Sequence, residues 1–304
     1  MLALNIKNET SRLRAVVLGI AKSNGGIPKV ADCYDPKSIQ HVLAGTYPEE
    51  SAMIVEMEAV AVILKKYDVQ VFRPNIIENY NQIFSRDIAF VIQDKFVKAN
   101  ILPDRDQEIE AIHSVISKIN PANIIKLPEE CHVEGGDVMP WNEYIFVGTY
   151  SGEDYAEYIT ARTNVAAVQA ITALFPERIV KSFELRKHNT IATENALHLD
   201  CCFQPIGRDK AILHKNGFLV EKEYEWLLNY FGKDNVFEID KEEMFSMNSN
   251  IFSISEEVII SEKKFTRLNT WLRGNGFIVE EVAYAEIAKQ EGLLRCSTMP
   301  LVRD

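Results

Sequence analysis

The sequence contains little cysteine and no long apolar run, and each shortage excludes a class of protein. Its 304 residues include 5 cysteines, an odd number without paired spacing, so we expect no disulfide framework. No CxxC or HxxxH pattern occurs, and we therefore expect no metal site. No run of about eighteen apolar residues is present to span a bilayer, so we also expect no membrane partner.

The start of the chain and its charge exclude further classes. The segment "MLALNIKNETSRLR" lacks the succession of basic, apolar and small residues that marks a signal peptide. We therefore expect a cytoplasmic protein with free thiols in a reducing compartment. The formal net charge is -11, whereas nucleic-acid binding requires a basic face. We expect no nucleic-acid partner, and this charge is better suited to a cationic ligand.

What the sequence does contain is a repeated order of predicted elements. Apolar runs predict strands and a 3.6-residue period predicts helices, and together they give strand, strand, helix, strand four times in succession. The predicted helices of these units span about 104–118, 155–173, 220–231 and 264–274.

A fifth unit forms only if both ends of the chain contribute to it. Its strands would be 298–304, 13–20 and 69–74, and its helix about 49–66. The predicted fold class is therefore α/β, as a five-bladed pseudo-symmetric propeller of ββαβ units. Residues 1–304 would form a single domain whose fifth blade is closed by the N- and C-terminal segments. The alternative is an open α/β sheet with ordinary crossovers.

Unusual residues precede the first strand of each predicted unit. If the units are equivalent, these segments converge near the axis. They are "FSRD" (84–87), "VEGGD" (133–137), "LHLD" (197–200), "FSMNSN" (245–250) and "LLRC" (293–296). They contain carboxylates, a histidine and a cysteine, which are the groups needed to activate a thiol and to hold a cation.

Each of these residues also has an ordinary structural interpretation. Cys296 could be a small buried hydrophobic residue, His198 a core histidine, and "EGGD" a tight turn whose glycines supply positive φ. Asp87, next to Arg86, could form a surface ion pair that contributes little. Their recurrence at equivalent points of the repeat favours the catalytic interpretation.

Together the motifs resemble those of the guanidino-group modifying enzymes, which include arginine deiminases, dimethylarginine dimethylaminohydrolases and amidinotransferases. This family has the five-bladed α/β propeller called the pentein fold, and the resemblance covers nearly the whole chain. It implies that Cys296 is the nucleophile, His198 the acid and base, and Glu134 the partner that orients His198. It also implies that Asp87 and Asp200 clamp the guanidinium of a small cationic substrate, without a cofactor or a metal.

The motifs differ in which reaction they favour. "EGGD" and "RCSTMP" resemble the hydrolases, particularly arginine deiminases, whereas "NALHLDCCF" and "FSMNSN" also resemble amidinotransferases. Asn195 and Ser246 stand where the transferases have residues that face the substrate, although short polar residues also form turns. We favour hydrolysis through a covalent S-amidino intermediate because it needs only the admission of water. Transfer of the amidino group to an amine is the alternative.

The residues that bind the far end of the substrate are less defined. Arginine is the usual partner of an α-carboxylate, and Arg86, Arg208 and Arg295 lie near the motifs. Arg295, beside the nucleophile, is the candidate substrate-binding residue. Free arginine, a methylated arginine, agmatine and other guanidino compounds all remain open as substrates.

Two further features leave alternatives open. The segment 21–48 contains Gly25 to Pro28 and suggests a mobile loop, either a lid or a decoration. The pentein fold also occurs in a ribosome anti-association factor, so a binding protein without catalysis is the non-enzymatic alternative. The sequence is compatible with a homo-oligomer.

Overall fold

Five separate three-stranded sheets form the framework of the molecule. The computed structural model describes all residues from 1 to 304. In every sheet a central strand pairs with one antiparallel and one parallel neighbour. The strands are β1 (Leu13–Leu18), β2 (Gln70–Phe72), β3 (Ala89–Ile92), β4 (Lys95–Lys98), β5 (Ile124–Lys126), β6 (Val138–Trp141), β7 (Tyr144–Thr149), β8 (Ile179–Glu184), β9 (Phe203–Ile206), β10 (Lys210–Leu213), β11 (Val236–Glu238), β12 (Phe252–Ser253), β13 (Val258–Glu262), β14 (Ile278–Val282) and β15 (Thr298–Arg303).

The five sheets follow the chain in regular order. Four of them take consecutive strands, β3-β4-β5, β6-β7-β8, β9-β10-β11 and β12-β13-β14, and the fifth is β15-β1-β2. In that sheet the last strand pairs antiparallel with the first, with Leu18 opposite Thr298 and Val16 opposite Pro300. The predicted α/β fold with a five-fold repeat is confirmed. The single-domain organisation over residues 1–304 stays a prediction.

The helices agree with the predictions where an apolar face alone determines them. They are α1 (Pro36–Leu43), α2 (Glu50–Lys66), α3 (Glu108–Ala111), α4 (His113–Ile116), α5 (Val165–Leu174), α6 (Glu221–Phe231), α7 (Lys241–Phe245) and α8 (Thr266–Gly274). The buried residues of α2 recur every three or four positions at Met53, Met57, Val60 and Leu64. This spacing places them on one face of the helix, which packs into the largest apolar core.

Two predicted helices are wrong in extent, because residues near their predicted starts are buried in the interior of the molecule. The helix predicted over 104–118 is divided into α3 and α4 at Ile112, and Arg105 before it turns inward. The helix predicted over 155–173 begins only at Val165, after Asn164 caps it by accepting from the amide of Ala167. Ahead of that cap, Arg162 and Thr163 are buried.

The segment 21–48 contains regular secondary structure and is not only a loop. It contains α1, which the prediction missed, although Asp35 and Pro36 are a standard pair at a helix start. The side chain of Asp35 accepts from the amide of Ser38 at 2.7 Å. None of the helices in the molecule is both long and apolar enough to cross a membrane.

One predicted strand is also shorter than expected. The apolar run from Leu199 predicts a strand, but residues Leu199–Cys201 form a 3-10 turn and β9 begins at Phe203. His198 and Asp200 therefore lie in a turn and not on one face of a strand. Asp137 holds this turn, because its Oδ1 accepts from the amide of Leu199 at 2.8 Å.

Candidate active site

The turns that precede the first strands of the sheets meet around one cavity. It has a volume of about 480 Å³, and Asp87, His198 and Cys296 line it. These residues come from the turns before β3, β9 and β15, so three different sheets position them. The turns before β3 and β15 are distant in sequence but are joined by a hydrogen bond from the amide of Arg86 to the carbonyl of Cys296 at 2.9 Å.

Cys296 is fixed in a tightly bonded turn immediately before β15. The hydroxyl of Ser297 donates to the carbonyl of Leu293 at 2.7 Å. Asn250, from the turn before β12, binds the cysteine at two atoms. Its Oδ1 accepts from the amide of Cys296 at 3.1 Å, and its Nδ2 donates to the sulfur at 3.1 Å. The sulfur is buried and oriented before any ligand binds.

His198 is held by a buried carboxylate, as the resemblance implied for Glu134. The imidazole Nε2 donates to Oε2 of Glu134 at 2.7 Å. Arg162 binds the other side of this carboxylate, with its Nη1 3.1 Å from Oε1 and 2.9 Å from Oε2. The second ring nitrogen, Nδ1, is buried without any partner and lies 3.9 Å from Oδ1 of Asp87.

Asp87 has one occupied and one free oxygen. Its Oδ2 accepts from Nη1 of Arg105 at 2.8 Å. Its Oδ1 is buried and has no hydrogen-bond partner. An unpaired buried acceptor is costly, and here it lies on the wall of a cavity beside an equally unpaired His198 nitrogen. Both atoms are therefore available to a ligand.

Asp200 lies beside the sulfur and does not line the cavity. Its oxygens are 3.7 and 3.6 Å from the sulfur of Cys296. Oδ2 also accepts from Nη1 of Arg295 at 2.8 Å, which leaves Oδ1 with weak sulfur contacts only. Asp200 therefore lies on the nucleophile's side with its oxygens in contact with sulfur and Arg295, whereas Asp87 has an unpartnered oxygen on the side of His198.

The assignment of Arg295 as a substrate-binding residue is wrong. Its guanidinium is fully buried and does not line the cavity. It binds Glu9 through Nε and Nη2, Asp200 through Nη1, and the carbonyls of Gly136 and Val138. No donor remains for a ligand, so Arg295 supports Asp200 from behind. Arg86 is also buried outside the cavity, and Arg208 is exposed and paired with Glu256.

Asn195 and Ser246 do not line the cavity either. Asn195 is buried, and its Nδ2 donates to Oε1 of Glu291 at 2.6 Å, so it contacts the cavity wall from outside. Ser246 is exposed at the end of α7 and borders a separate cavity. Within "FSMNSN" the residue that reaches the site is Asn250. Four positions separate it from Ser246, so the turn presents a different polar residue from the one predicted.

The two glycines of "EGGD" are required by close approach and not by positive φ, which neither of them has. A Cβ at Gly135 would lie 2.1 Å from the carbonyl oxygen of Arg86. A Cβ at Gly136 would lie 2.7 Å from Cγ and Nδ1 of His198. The interpretation of this motif as an ordinary positive-φ turn is therefore wrong: Gly135 makes room for the backbone of Arg86, and Gly136 makes room for the imidazole of His198.

The charges of the site set the protonation of its groups. Burial lowers the pKa of His198, but Asp87 and Glu134 outweigh burial and raise that pKa to about 9. Burial, Asp200 and Asp87 raise the pKa of the Cys296 thiol well above its usual range. Burial would raise the pKa of Glu134, but Arg162 and His198 hold it well below its usual range. The empty site at neutral pH thus holds an imidazolium and a neutral thiol.

The same side chains also form two groups of three potential metal donors, His198 with Asp200 and Cys296, and His198 with Asp87 and Glu134. Each group lies within 4.8 Å from donor to donor. The carboxylates in both groups already bind arginine, as described for Arg105, Arg162 and Arg295. Each of these carboxylates therefore already has an oxygen engaged by an arginine.

Several residues of the site carry no signal that sequence reasoning could use. Arg105 and Arg162 stand in segments predicted as helices, and Tyr34 and Asp35 stand in the segment predicted as a loop. All of them line the cavity. Asn250 is the exception, because it belongs to a turn that the repeat had already placed near the axis.

Comparison with known proteins gives relatives for most of the chain. No family model matches. The uncharacterised protein YkgA of Bacillus subtilis (strain 168) is 28% identical over 229 residues, which cover 73% of this chain and 70% of that protein. An arginine deiminase of Bacillus cereus (strain B4264) is 25% identical over 203 residues, or 56% of this chain. The matched region is 47% of that enzyme, so the chain spans about half the length of the arginine deiminases it resembles.

Solved structures match over almost the whole chain. SxtG, an amidinotransferase of Microseira wollei, is 16% identical and superposes with a TM-score of 0.74, covering 99% of this chain and 97% of its own. The N-terminal domain of ArgZ, a cyanobacterial arginine dihydrolase, is 14% identical with a TM-score of 0.77, covering 95% and 98%. At this level of identity the likeness establishes the fold, which is the pentein fold that the motifs predicted.

Proposed function

We propose that the protein is a cysteine-dependent hydrolase of a small guanidino compound. The observation that supports it best is the pair of unpartnered buried atoms, Asp87 Oδ1 and His198 Nδ1, which share one cavity with the sulfur of Cys296. A planar cation with several N–H donors would satisfy the free carboxylate oxygen. The same cation would place its central carbon near the nucleophile.

Two carboxylates on different sides of the site suit a guanidinium. Asp87 presents an unpartnered Oδ1 in the cavity, and Asp200 would contact the cation from beside the sulfur, where its Oδ1 lies 3.7 Å from the sulfur of Cys296. Each hydrogen bond from the cation to a carboxylate is charge-assisted and directional. Arg105 and Arg295 hold the other oxygens, so each carboxylate has a fixed orientation. The guanidinium plane would be fixed in the same way.

Substrate binding would also change the charge at the nucleophile. In the empty site the carboxylates of Asp200 and Asp87 contribute to the raised pKa of the Cys296 thiol. A bound cation between them offsets that effect and favours the thiolate. The thiol would therefore ionise mainly when the substrate is present, which protects a buried cysteine from other electrophiles.

The proposed reaction forms and breaks bonds in two stages. The Cys296 thiolate attacks the guanidinium carbon and forms a C–S bond, giving a tetrahedral adduct. His198 donates its proton to the leaving nitrogen, the C–N bond breaks, and an amine and an S-amidino intermediate result. His198 then takes a proton from water as the water oxygen attacks the same carbon. The C–S bond then breaks as the adduct hydroxyl releases its proton to solvent, and the products are a ureido compound and the thiolate.

We prefer hydrolysis to transfer of the amidino group. The residues that favoured an amidinotransferase were Asn195 and Ser246, and neither lines the cavity. Transfer would require an amine to enter beside the intermediate, and no residue of this chain indicates where it would bind. Water needs only access to the amidino carbon. The amidinotransferase likeness of SxtG concerns the fold and leaves this choice to experiment.

The experiment combines product analysis with two variants. The wild type, incubated with arginine, methylated arginine and other guanidino compounds without added amine, should release a ureido product. His198→Ala should lose rate by about 10²–10⁴-fold and accumulate the amidino adduct on Cys296 when the substrate has a good leaving group. Asp200→Asn should weaken binding and accumulate no adduct, because it replaces an acceptor anion by an amide.

The outcomes separate the possibilities. If turnover requires a second amine, the protein is a transferase. If Asp200→Asn accumulates the adduct, or His198→Ala turns over normally, the roles proposed for this pair are wrong. If no guanidino compound is processed or forms an adduct, the proposed function fails and the binding-protein alternative gains support.

A further inference from the structure

We infer that Asp137 and Lys187 are the positioning residues of His198, that they hold the main chain on its two sides, and that the charge of Asp137 acts on its imidazole. The inference rests on the proposed function, because it connects these residues with the acid and base step. It extends that function to two side chains that do not line the substrate cavity.

Asp137 holds the chain directly after His198. Its Oδ1 accepts from the amide of Leu199 at 2.8 Å, and its Oδ2 accepts from the hydroxyl of Thr163 at 2.6 Å. The same hydroxyl oxygen accepts from the amide of Glu134 at 3.3 Å. One carboxylate is therefore bonded to the turn of His198 and, through Thr163, to the residue that orients the imidazole.

Lys187 holds the chain directly before His198. Its ammonium donates to the carbonyl of Ala196 at 2.9 Å and to the carbonyl of Leu197 at 2.7 Å. The residue is buried, and its ammonium is hydrogen-bonded to no carboxylate. Lysine is seldom buried without an ionic partner. Its burial at this position is explained by the two carbonyls that it fixes beside the turn.

A glycine in β7 makes the contact between Asp137 and the turn possible. A Cβ at Gly148 would lie 2.2 Å from Oδ1 of Asp137 and 2.9 Å from Cβ of Leu199. The φ of Gly148 is not positive, so the backbone conformation does not require glycine. Glycine inside a strand weakens the strand and often marks a close approach of another group. Here it leaves room for the carboxylate and for the turn that the carboxylate holds.

Asp137 differs from the other carboxylates around His198 because it has no arginine partner. Asp87 and Glu134 each bind an arginine. The partners of Asp137 are a hydroxyl and a backbone amide, and both are neutral. Burial raises the pKa of Asp137, and the positive charges that oppose this effect are those of His198 and Lys187. Because no arginine neutralises it, the charge of Asp137 stabilises the imidazolium form of His198.

This arrangement matches what the proposed reaction requires of His198. The charged groups around the imidazole, besides the thiol of Cys296 in the same cavity, are Asp87, Glu134, Asp137, Arg105 and Arg162. The ring donates one proton and then takes another, so it must keep one position through both steps. A displacement of about 1 Å can cost about 10²-fold in rate. Asp137 and Lys187 oppose such a displacement from the two sides.

The first experiment follows the protonation of His198 by NMR and needs no turnover. The imidazole resonance is measured between about pH 6 and pH 10 and is assigned by its loss in His198→Asn. Asp137→Asn removes a negative charge and should lower the titration midpoint of His198. Lys187→Met removes a positive charge and should not lower it. Unfolding would instead bring both midpoints to the value of a free histidine, and urea unfolding of each variant detects it.

The second experiment measures kcat and KM of the same two variants with the guanidino compound that the wild type processes. Both variants should lower kcat by about tenfold to 10²-fold, because the imidazole loses its fixed position. They should change KM by less than about twofold, because Asp87 and Asp200 still bind the guanidinium. Asp209→Asn, an exposed aspartate between β9 and β10, is the matched control and should change neither constant.

The outcomes separate the inference from the proposed function, which depends on turnover by the wild type alone. If Asp137→Asn leaves the midpoint of His198 unchanged, or if either variant keeps the kcat of the wild type, the inference is overturned. It is also overturned if Lys187→Met lowers the midpoint as much as Asp137→Asn does. If the wild type processes no guanidino compound but the midpoints move as expected, the proposed function fails, and Asp137 and Lys187 still position His198.

Discussion

The two sides of the cavity are built in different ways. We call one side the repeat floor, formed in the turns that precede first strands by Asp87, His198 and Cys296, which line the cavity, and by Glu134 and Asp200, which lie behind them. We call the other the inserted wall, formed by the cavity-lining residues between 24 and 35. Every floor residue is buried, whereas the wall includes exposed residues such as Gly26 and Asp32. The reactive groups thus rest on the core, whereas the wall is partly exposed to solvent.

Arg162 connects the two sides. Its Nη1 binds Glu134 of the repeat floor, and its Nη2 donates to the carbonyl of Tyr34 in the inserted wall at 2.5 Å. One side chain therefore orients the partner of His198 and holds the wall over the cavity. Floor and wall thus differ in origin but are joined by one buried arginine, which forms an ion pair with the floor and a hydrogen bond with the wall. Changes in the floor should affect chemistry first, and changes in the wall should affect binding first.

The largest effect should come from the nucleophile. Cys296→Ser should lower turnover by at least about 10³-fold without unfolding the protein, because a hydroxyl is a poor nucleophile at neutral pH. A haloacetamidine, which carries the guanidinium-like charge, should label Cys296 faster than neutral iodoacetamide does. Mass spectrometry after proteolysis locates the label. Equal rates, or preferential labelling of Cys33 in the wall or of Cys131, would contradict the prediction that Cys296 of the floor is the activated thiol.

The next effect tests the close packing of the floor. Gly136→Ala places a Cβ about 2.7 Å from the ring of His198, so the imidazole must move. Misplacement of a reacting group by about 1 Å can cost about 10²-fold, and we expect a loss of that order in kcat. Gly274→Ala is the control, because nothing lies within 4 Å of its added Cβ. It should keep full activity, and unchanged activity in Gly136→Ala would show that the ring position is not critical.

The floor could be predicted from the sequence because the repeat places its residues. Each floor residue lies in the short turn that precedes a first strand, so the order of elements predicts their convergence before any contact is known. The roles implied for Cys296, His198 and Glu134 stay predictions, although the geometry brings these side chains together. Asp200 was expected to line the cavity with Asp87, and only the structure reveals that it lies behind the sulfur.

The rest of the site could not be predicted, because it depends on long-range pairing of buried charges. Arg295 is adjacent to Cys296 in sequence, but Glu9 and Asp200 draw its guanidinium away from the cavity. Arg105 and Arg162 follow no repeat, and their partners lie 18 and 28 residues away. Wall residues belong to an insertion without an equivalent in the other units, so periodicity carries no information about them.

A smaller effect concerns how the free energy of unfolding depends on pH, to which His198 of the floor contributes. The pKa of His198 is raised to about 9 in the folded protein, against about 6.5 for an unperturbed histidine. Its stabilisation is thus fully present below about pH 6.5 and is lost as the pH rises through about 9. The loss should not exceed about 1.4 kcal/mol per pH unit for one proton.

Urea unfolding measured from pH 5 to pH 9 tests this expectation. His198→Asn should flatten the decline in the free energy of unfolding between about pH 7 and 9. Glu291→Gln should reduce the decline in the free energy of unfolding that begins at lower pH, because the pKa of an unfolded glutamate is about 4.3. The pKa of Glu291 is raised like that of His198, so both groups lose stabilisation as the pH rises. A wild-type free energy that stays constant from pH 7 to 9 would contradict the raised pKa of His198.

The smallest effect separates two polar residues of a single turn. Ser246 is exposed and borders another cavity, so Ser246→Ala should leave kcat/KM within about twofold. Asn250→Ala removes two contacts to Cys296, and it should lower kcat by about tenfold or more through loss of orientation of the sulfur. Both variants are assayed for hydrolysis and for transfer to an added amine. If Ser246→Ala spares hydrolysis but abolishes transfer, then Ser246 contacts an acceptor amine, and the reaction extends beyond the floor and wall described above.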